Sequence, residues 1–209
     1  MIRRVTFPSV LVAMLFSLTC ASGYAGSKPQ HGTKTQKGRL AQKHHPQKHA
    51  PLYVLPPGWP KLFSMPRFGV TATIEDISMR AAGDDHAPYR WNDVAWWDLG
   101  PKPGQQGMSN IYGHLDSTCC PAVFYHLRDL VPGDIVTVTY RNAKVLRFRV
   151  IWSHTYWNDE FPYGFVYGLN RHRSLALTTC TGVFHLDGSG YDHKVLVYAR
   201  MIMPNGQLG

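Results

Sequence analysis

The chain has 209 residues, 44% hydrophobic and 12% aromatic, enough apolar material for a full core and too much for a chain disordered throughout. Its net charge of +9 suggests a nucleic-acid or membrane partner, but the basic excess is confined to one end. Eight of the 22 Lys and Arg lie in residues 1–50, which carry no Asp or Glu, and the other 14 face 13 acidic residues, so no nucleic-acid binding is expected of the folded part.

Residues 1–25 read as a signal peptide or N-terminal signal anchor. Arg3 and Arg4 precede an apolar run from Val5 to Cys20, and small residues Ala21, Ser22, Gly23 and Ala25 follow. That run is shorter than the roughly 20 residues of a comfortable bilayer span. If it is kept, residues 5–21 anchor the chain in the membrane and the domain faces outward. Either way an extracytoplasmic location is expected, secreted or held at the cell membrane.

Residues 26–60 are rich in Lys, His, Gln, Gly and Pro and read as a basic, disordered linker. Its histidines His31, His44, His45 and His49 fit a solvated polar tract better than a metal site. The linker ends in the stiff run Pro56-Pro57-Gly58-Trp59-Pro60. Residues 61–209 form the predicted domain. Its three cysteines, Cys119, Cys120 and Cys180, are too few for a disulfide framework.

Within that domain Gly69 to Glu75 alternates apolar Val70, Ala72 and Ile74 with polar neighbours, the signature of a half-buried strand. Residues 79–89 are polar and turn-rich. Val94 to Trp97 is a short aromatic strand, and residues 100–104 form a turn. Ser109 to Tyr112 is a strand ending just before His114. Pro121 to Leu130 places Val123, Leu127 and Leu130 at helical spacing and predicts a short helix. Ile135–Tyr140 and Val145–Ile151 pair across residues 141–144, and Trp152 to Trp157 extends the second strand. Residues 158–173 read as a long aromatic loop. Leu175 to Gly182 is a strand carrying Cys180, residues 187–190 turn the chain, and Val195–Ala199 is a last buried strand. Many short strands and few helical turns predict a small, mainly β barrel.

Two residues stand out chemically. Cys180 sits at a strand end among Thr178, Thr179 and Thr181, a setting for a reactive thiolate rather than an inert core cysteine. His114, at the end of another strand, is a candidate proton-exchange partner. Asp116 shares a face with His114 only in extended chain, so its role as an orienting group is weak. Acyl transfer also needs a donor for the developing oxyanion, and His193, Lys194, Arg171 and Arg173 are near enough in sequence to be considered. The adjacent Cys119 and Cys120 lack the two-residue spacer of zinc knuckles, so no metal and no cofactor is expected.

The run of motifs resembles the sortases, cysteine transpeptidases of bacterial cell surfaces. It comprises Pro66-Arg67-Phe68-Gly69-Val70-Thr71-Ala72-Thr73-Ile74, Gly100-Pro101-Lys102-Pro103-Gly104, Tyr112-Gly113-His114-Leu115-Asp116-Ser117, Pro121-Ala122-Val123-Phe124, Leu130-Val131-Pro132-Gly133-Asp134, Leu177-Thr178-Thr179-Cys180 and Val195-Leu196-Val197-Tyr198-Ala199. The likeness spans about Met65 to Met203 and looks closest to class F, whose histidine motif reads Gly-His-x-Asp-Ser. It implies an eight-stranded sortase barrel with one or two short helices, His114 as acid/base and Cys180 as nucleophile. It also implies surface-protein substrates with a C-terminal Leu-Pro-x-Thr-Gly-like signal, a thioester intermediate, and an amine acceptor from a cell-wall peptide or a pilin lysine. A monomer is expected. Asp192 falls where the family carries an arginine, which leaves His193 and Lys194 as candidates to stabilise the oxyanion. A cysteine hydrolase on the same barrel, or an impaired homologue that only binds peptides, are the alternatives.

Overall fold

The computed structural model describes residues 58–77 and 87–209, so the leader, most of the linker and most of the predicted turn at 79–89 lie outside the described residues. The first strand, β1 (Pro60–Met65), is absent from the sequence reading because the proline-rich run masks it. Proline is tolerated as the first residue of a strand, and Phe63 and Met65 beyond it are fully buried. Then come β2 (Val70–Ile77), β3 (Val94–Trp97), β4 (Gly107–Gly113), β5 (Ile135–Tyr140), β6 (Val145–Trp157), β7 (Arg173–His185) and β8 (Gly190–Met201). They close into an eight-stranded barrel in the order β1-β2-β3-β4-β7-β8-β6-β5. The mainly β barrel expected from the sequence is therefore the observed fold.

Strand chemistry explains the layers. β5 and the first half of β6 alternate strictly, with Val136, Val138, Tyr140, Leu146, Phe148 and Val150 buried in the barrel. A bulge between Val150 and Trp152 then breaks the register against β8. β7 and β8 do not alternate because both their faces are covered. Leu175, Leu177, Val195, Val197 and Ala199 fill the barrel, while Ala176, Leu196 and Tyr198 pack outside it against Phe161 and Val166. The cover comes from residues 158–167, read from sequence as loop. It holds a 3-10 turn at Asn158–Glu160 and the single-turn helix α1 (Tyr163–Val166).

The short helix expected over residues 121–130 is corrected to a chain of 3-10 turns, regular only at Leu127–Asp129. The amides of Ala122, Val123 and Phe124 bond the carbonyls of Leu115, Trp91 and His114, and those of Tyr125, Leu127, Asp129 and Leu130 bond three residues back. Fastening to the His114 segment thus replaces an α-helical ladder. The apolar spacing still serves burial, since Val123, Leu127 and Leu130 are at most 5% exposed.

Candidate active site

The parallel pairing of β4 with β7 sets the site. Tyr112 lies beside Thr178 in that ladder. The same offset of 66 residues brings Gly113 beside Thr179, whose Oγ1 donates to the Gly113 carbonyl at 2.8 Å. β4 ends at Gly113, and His114 follows it directly, two residues beyond the Tyr112–Thr178 pair, as Cys180 lies two residues beyond it on β7. Ile111, Leu177 and Val195 point into the barrel. Period-2 alternation therefore puts Tyr112, Thr178, Cys180 and Lys194 on the outer face, where His114, just past the end of β4, joins them. They line one cleft of about 880 Å³, together with the aromatic rings of Phe161, Tyr163, Tyr167, Phe184 and Tyr191.

Glycine is required immediately before His114. A Cβ on Gly113 would lie 2.6 Å from Phe124 Cδ2 and 2.8 Å from Val123 Cγ1. Phe124 can approach this closely, and its amide bonds the His114 carbonyl at 2.9 Å. The imidazole is held on two sides. Its Nε2 is 2.9 Å from the Pro88 carbonyl, and the Trp91 ring packs 4.4 Å from it, centroid to centroid. A carbonyl can only accept, so Nε2 carries the proton and Nδ1 is the basic nitrogen of the neutral ring. Cys180 is half-buried and lines the cleft.

The structure separates the two candidates on β8. Lys194 pairs directly with Cys180 and lines the cleft. His193 pairs with Thr181 and faces a different hollow, where its ring lies tilted against that of Trp157, 3.8 Å between centroids, and its Nδ1 meets Asp192 Oδ1 at 2.6 Å. Asp192, the residue at the family's arginine position by counting, does not line the cleft. Its carboxylate accepts the Val183 amide at 2.8 Å, fastening the irregular stretch of β7 that contains Gly182. The hydrogen bond from His193, foremost, holds its carboxyl below the usual range.

Asp116 does not orient His114. The chain bends at Leu115, leaves the extended geometry the role requires, and Asp116 instead accepts a 2.5 Å hydrogen bond from the Tyr191 hydroxyl. Burial, and then that carboxylate, push the Tyr191 phenol up to about 12. Arg173 lies at the opposite end of β7, bonding the Gly104 carbonyl at 2.7 Å, and Arg171 is exposed in the turn before it. Cys119 and Cys120 are exposed on a turn organised by Ser117, outside the cleft lining.

Three features of the cleft escaped the sequence reading. Asn158 accepts from Lys194 Nζ at 3.0 Å and donates to the Tyr191 carbonyl at 2.6 Å. Tyr191 itself tethers the start of β8 to Asp116. Tyr112 and Tyr167 share a 2.6 Å hydroxyl contact linking β4 to the segment after α1, and burial raises both phenols. The only signal for Asn158 and Tyr167 was their place in a long aromatic loop, which does not single out a residue.

Comparison with known proteins agrees with this fold. The structure is similar to sortase A from Corynebacterium diphtheriae, with 18% identity and a TM-score of 0.53, over 70% of this chain and 63% of that one. It is also similar to sortase C1 from Streptococcus agalactiae, with 18% identity and a TM-score of 0.52, over 68% and 67% of the two chains. A Clostridium perfringens sortase D5 transpeptidase aligns over 69% of this chain and 79% of its own, again at 18% identity, with a TM-score of 0.52. At such identity these likenesses speak to the fold. No curated protein matches the chain. The sortase-domain family model matches residues 63–202, well over half the chain, and the chain therefore belongs to the sortase family.

Proposed function

We propose that this chain is an extracytoplasmic cysteine transpeptidase, of the class F type, in which Cys180 is the nucleophile, His114 the acid/base and Lys194 the oxyanion donor. The observation that supports the reading is that these three residues line one cleft, with Lys194 paired to Cys180 across the β7/β8 ladder. The aromatic walls suit the apolar start of a Leu-Pro-x-Thr-Gly-like signal on a surface protein. The leader (1–25) and basic linker (26–60) fit export, tethering or secretion of the catalytic domain (61–209).

In this mechanism Cys180 first gives its thiol proton to His114, the thiolate attacks the carbonyl carbon of the Thr–Gly bond, and the oxyanion forms towards the Lys194 ammonium. His114 gives a proton to the departing glycine amine as the C–N bond breaks, leaving a threonyl thioester on Cys180. An amine, from a cell-wall peptide or a pilin-like lysine, adds to the thioester and gives up a proton to His114. The thiolate then departs. Lysine supplies a compact charge in place of the planar fork of arginine.

The test is incubation of the chain with a Leu-Pro-Ala-Thr-Gly peptide and triglycine, with mass detection of the ligated product and of the acyl adduct on Cys180. Ligation is expected, and Cys180→Ala abolishes it. Ligation that survives Cys180→Ala refutes the assignment, and release of free acid at all triglycine concentrations makes the enzyme a hydrolase.

A further inference from the structure

Lysine is a poor substitute for arginine unless something holds it. Its charge rides on a flexible four-carbon stem, whereas a guanidinium fork is pre-organised. The structure contains such a holder. Lys194 Nζ donates to Asn158 Oδ1 at 3.0 Å, and Asn158 Nδ2 donates to the Tyr191 carbonyl at 2.6 Å. The second bond fixes the orientation of the first. The Tyr191 carbonyl can only accept, so the amide nitrogen must face it and the amide oxygen must face the ammonium; the flipped amide would oppose like groups at both ends.

The position of Asn158 follows from the ladder. β6 and β8 pair as far as Tyr156 with Lys194 and Trp157 with His193, and Asn158 opens the 3-10 turn directly after that last pair. Its side chain reaches back along β8 to the residue opposite the nucleophile. Lys194, Asn158, Tyr191 and Cys180 all line the same cleft. The choice of an amide is chemically specific. A carboxylate there would hold the ammonium and also cancel the charge that the oxyanion needs, whereas a neutral acceptor orients one N–H and leaves the positive charge and two N–H groups available.

We infer that Asn158 is a positioning residue that aims Lys194 at the oxyanion formed above Cys180. This rests on the assignment of Lys194 under Proposed function. It adds a distinct claim, that the 158–160 turn on β6 controls turnover through a lysine on β8.

The test is a double-mutant cycle on the full chain, with Asn158→Ala made alone and in a Lys194→Met background. Turnover is read with the Leu-Pro-Ala-Thr-Gly peptide and hydroxylamine as acceptor. With Lys194 present, Asn158→Ala is expected to lower kcat about 10- to 100-fold, the value of a charge-assisted hydrogen bond, with KM held within about 2-fold. In the Lys194→Met background the same change is expected to cost less than about 2-fold, because the group it acts through is gone. Equal losses in both backgrounds, or a loss confined to KM, overturn the inference and leave the Lys194 assignment standing. Full activity of Lys194→Met overturns both. Should Asn158→Ala fail to fold, the isosteric Asn158→Asp decides: it is expected to lose kcat while melting within about 3 °C of the parent, and wild-type turnover by that variant overturns the inference.

Discussion

Lys194 stands directly across the antiparallel β7/β8 ladder from Cys180, while its neighbour His193 stands across from Thr181. One residue along a strand exchanges one face of the sheet for the other. The two candidates, equivalent in sequence, are thus not equivalent in space. Lys194→Met is expected to lower turnover about 100- to 1,000-fold, the loss that follows removal of one oxyanion donor. His193→Ala is expected to stay within about 3-fold, since alternation turns that ring out of the cleft. Steady-state kinetics on the two variants check the pair, and the opposite ranking would move the oxyanion site to the other face.

Gly113 is the close-approach point between β4 and the Phe124 segment. Gly113→Ala places a methyl against the Phe124 ring and the Val123 side chain, both buried. Overpacking of this kind costs about 1–3 kcal/mol. Because Phe124 also holds the His114 carbonyl, the strain falls on the histidine as well. Urea unfolding should show the lost stability, and kcat should fall with it. A variant as stable and active as the parent would show that the segment yields freely.

Thr178 and Thr179 offer a controlled contrast one residue apart. Thr179 Oγ1 donates to the Gly113 carbonyl at 2.8 Å, whereas Thr178 Oγ1 is buried with no hydrogen-bond partner among the described residues. Thr179→Val is expected to destabilise by about 0.5–1.5 kcal/mol, because it removes a buried hydrogen bond. Thr178→Val removes an unsatisfied group and is expected to be neutral or stabilising. Chemical denaturation of both variants would decide it, and an equal loss for the two would contradict this assignment of bonds.

Asp192 ties the irregular part of β7 to β8, and its carboxyl is lowered chiefly by the hydrogen bond from His193. A lowered folded pKa means that the unfolded chain binds the proton more readily. The stabilisation is therefore full above the ordinary aspartate value near about 4 and disappears as pH falls through the lower folded value. Asp192→Asn is expected to melt a few degrees below the parent at pH 7, with the gap narrowing as pH falls below the ordinary aspartate value. Melting curves across that window test it, and a gap independent of pH would deny the carboxylate its role.

Much of the architecture was legible in the chain because burial writes itself into periodicity. The alternation of Val70, Ala72 and Ile74, and of the β5/β6 hairpin, marked strands that face the core on one side only. The unbroken apolar runs at Leu175–Leu177 and Val195–Ala199 marked strands covered on both sides. Tertiary fastening overrode local signals elsewhere. Residues 122–124 carry helical spacing, but their amides are committed to Leu115, Trp91 and His114, and β1 hid behind Pro60.

The candidate site divides in the same way. Sequence alone singled out Cys180 and His114, since a thiol and an imidazole are chemically conspicuous and the motifs around them are distinctive, although the strand end expected at Cys180 is the interior of β7, which pairing with β8 extends to His185. It also determined where the basic charge lies, which needs only counting. Sequence could not choose between His193 and Lys194, find Asn158, or take Asp192 out of the cleft. Those answers depend on which strand lies beside which, where the ladder slips, and which face each side chain meets. They come from pairings between residues as far apart as Asp116 and Tyr191, a relation that no local pattern encodes.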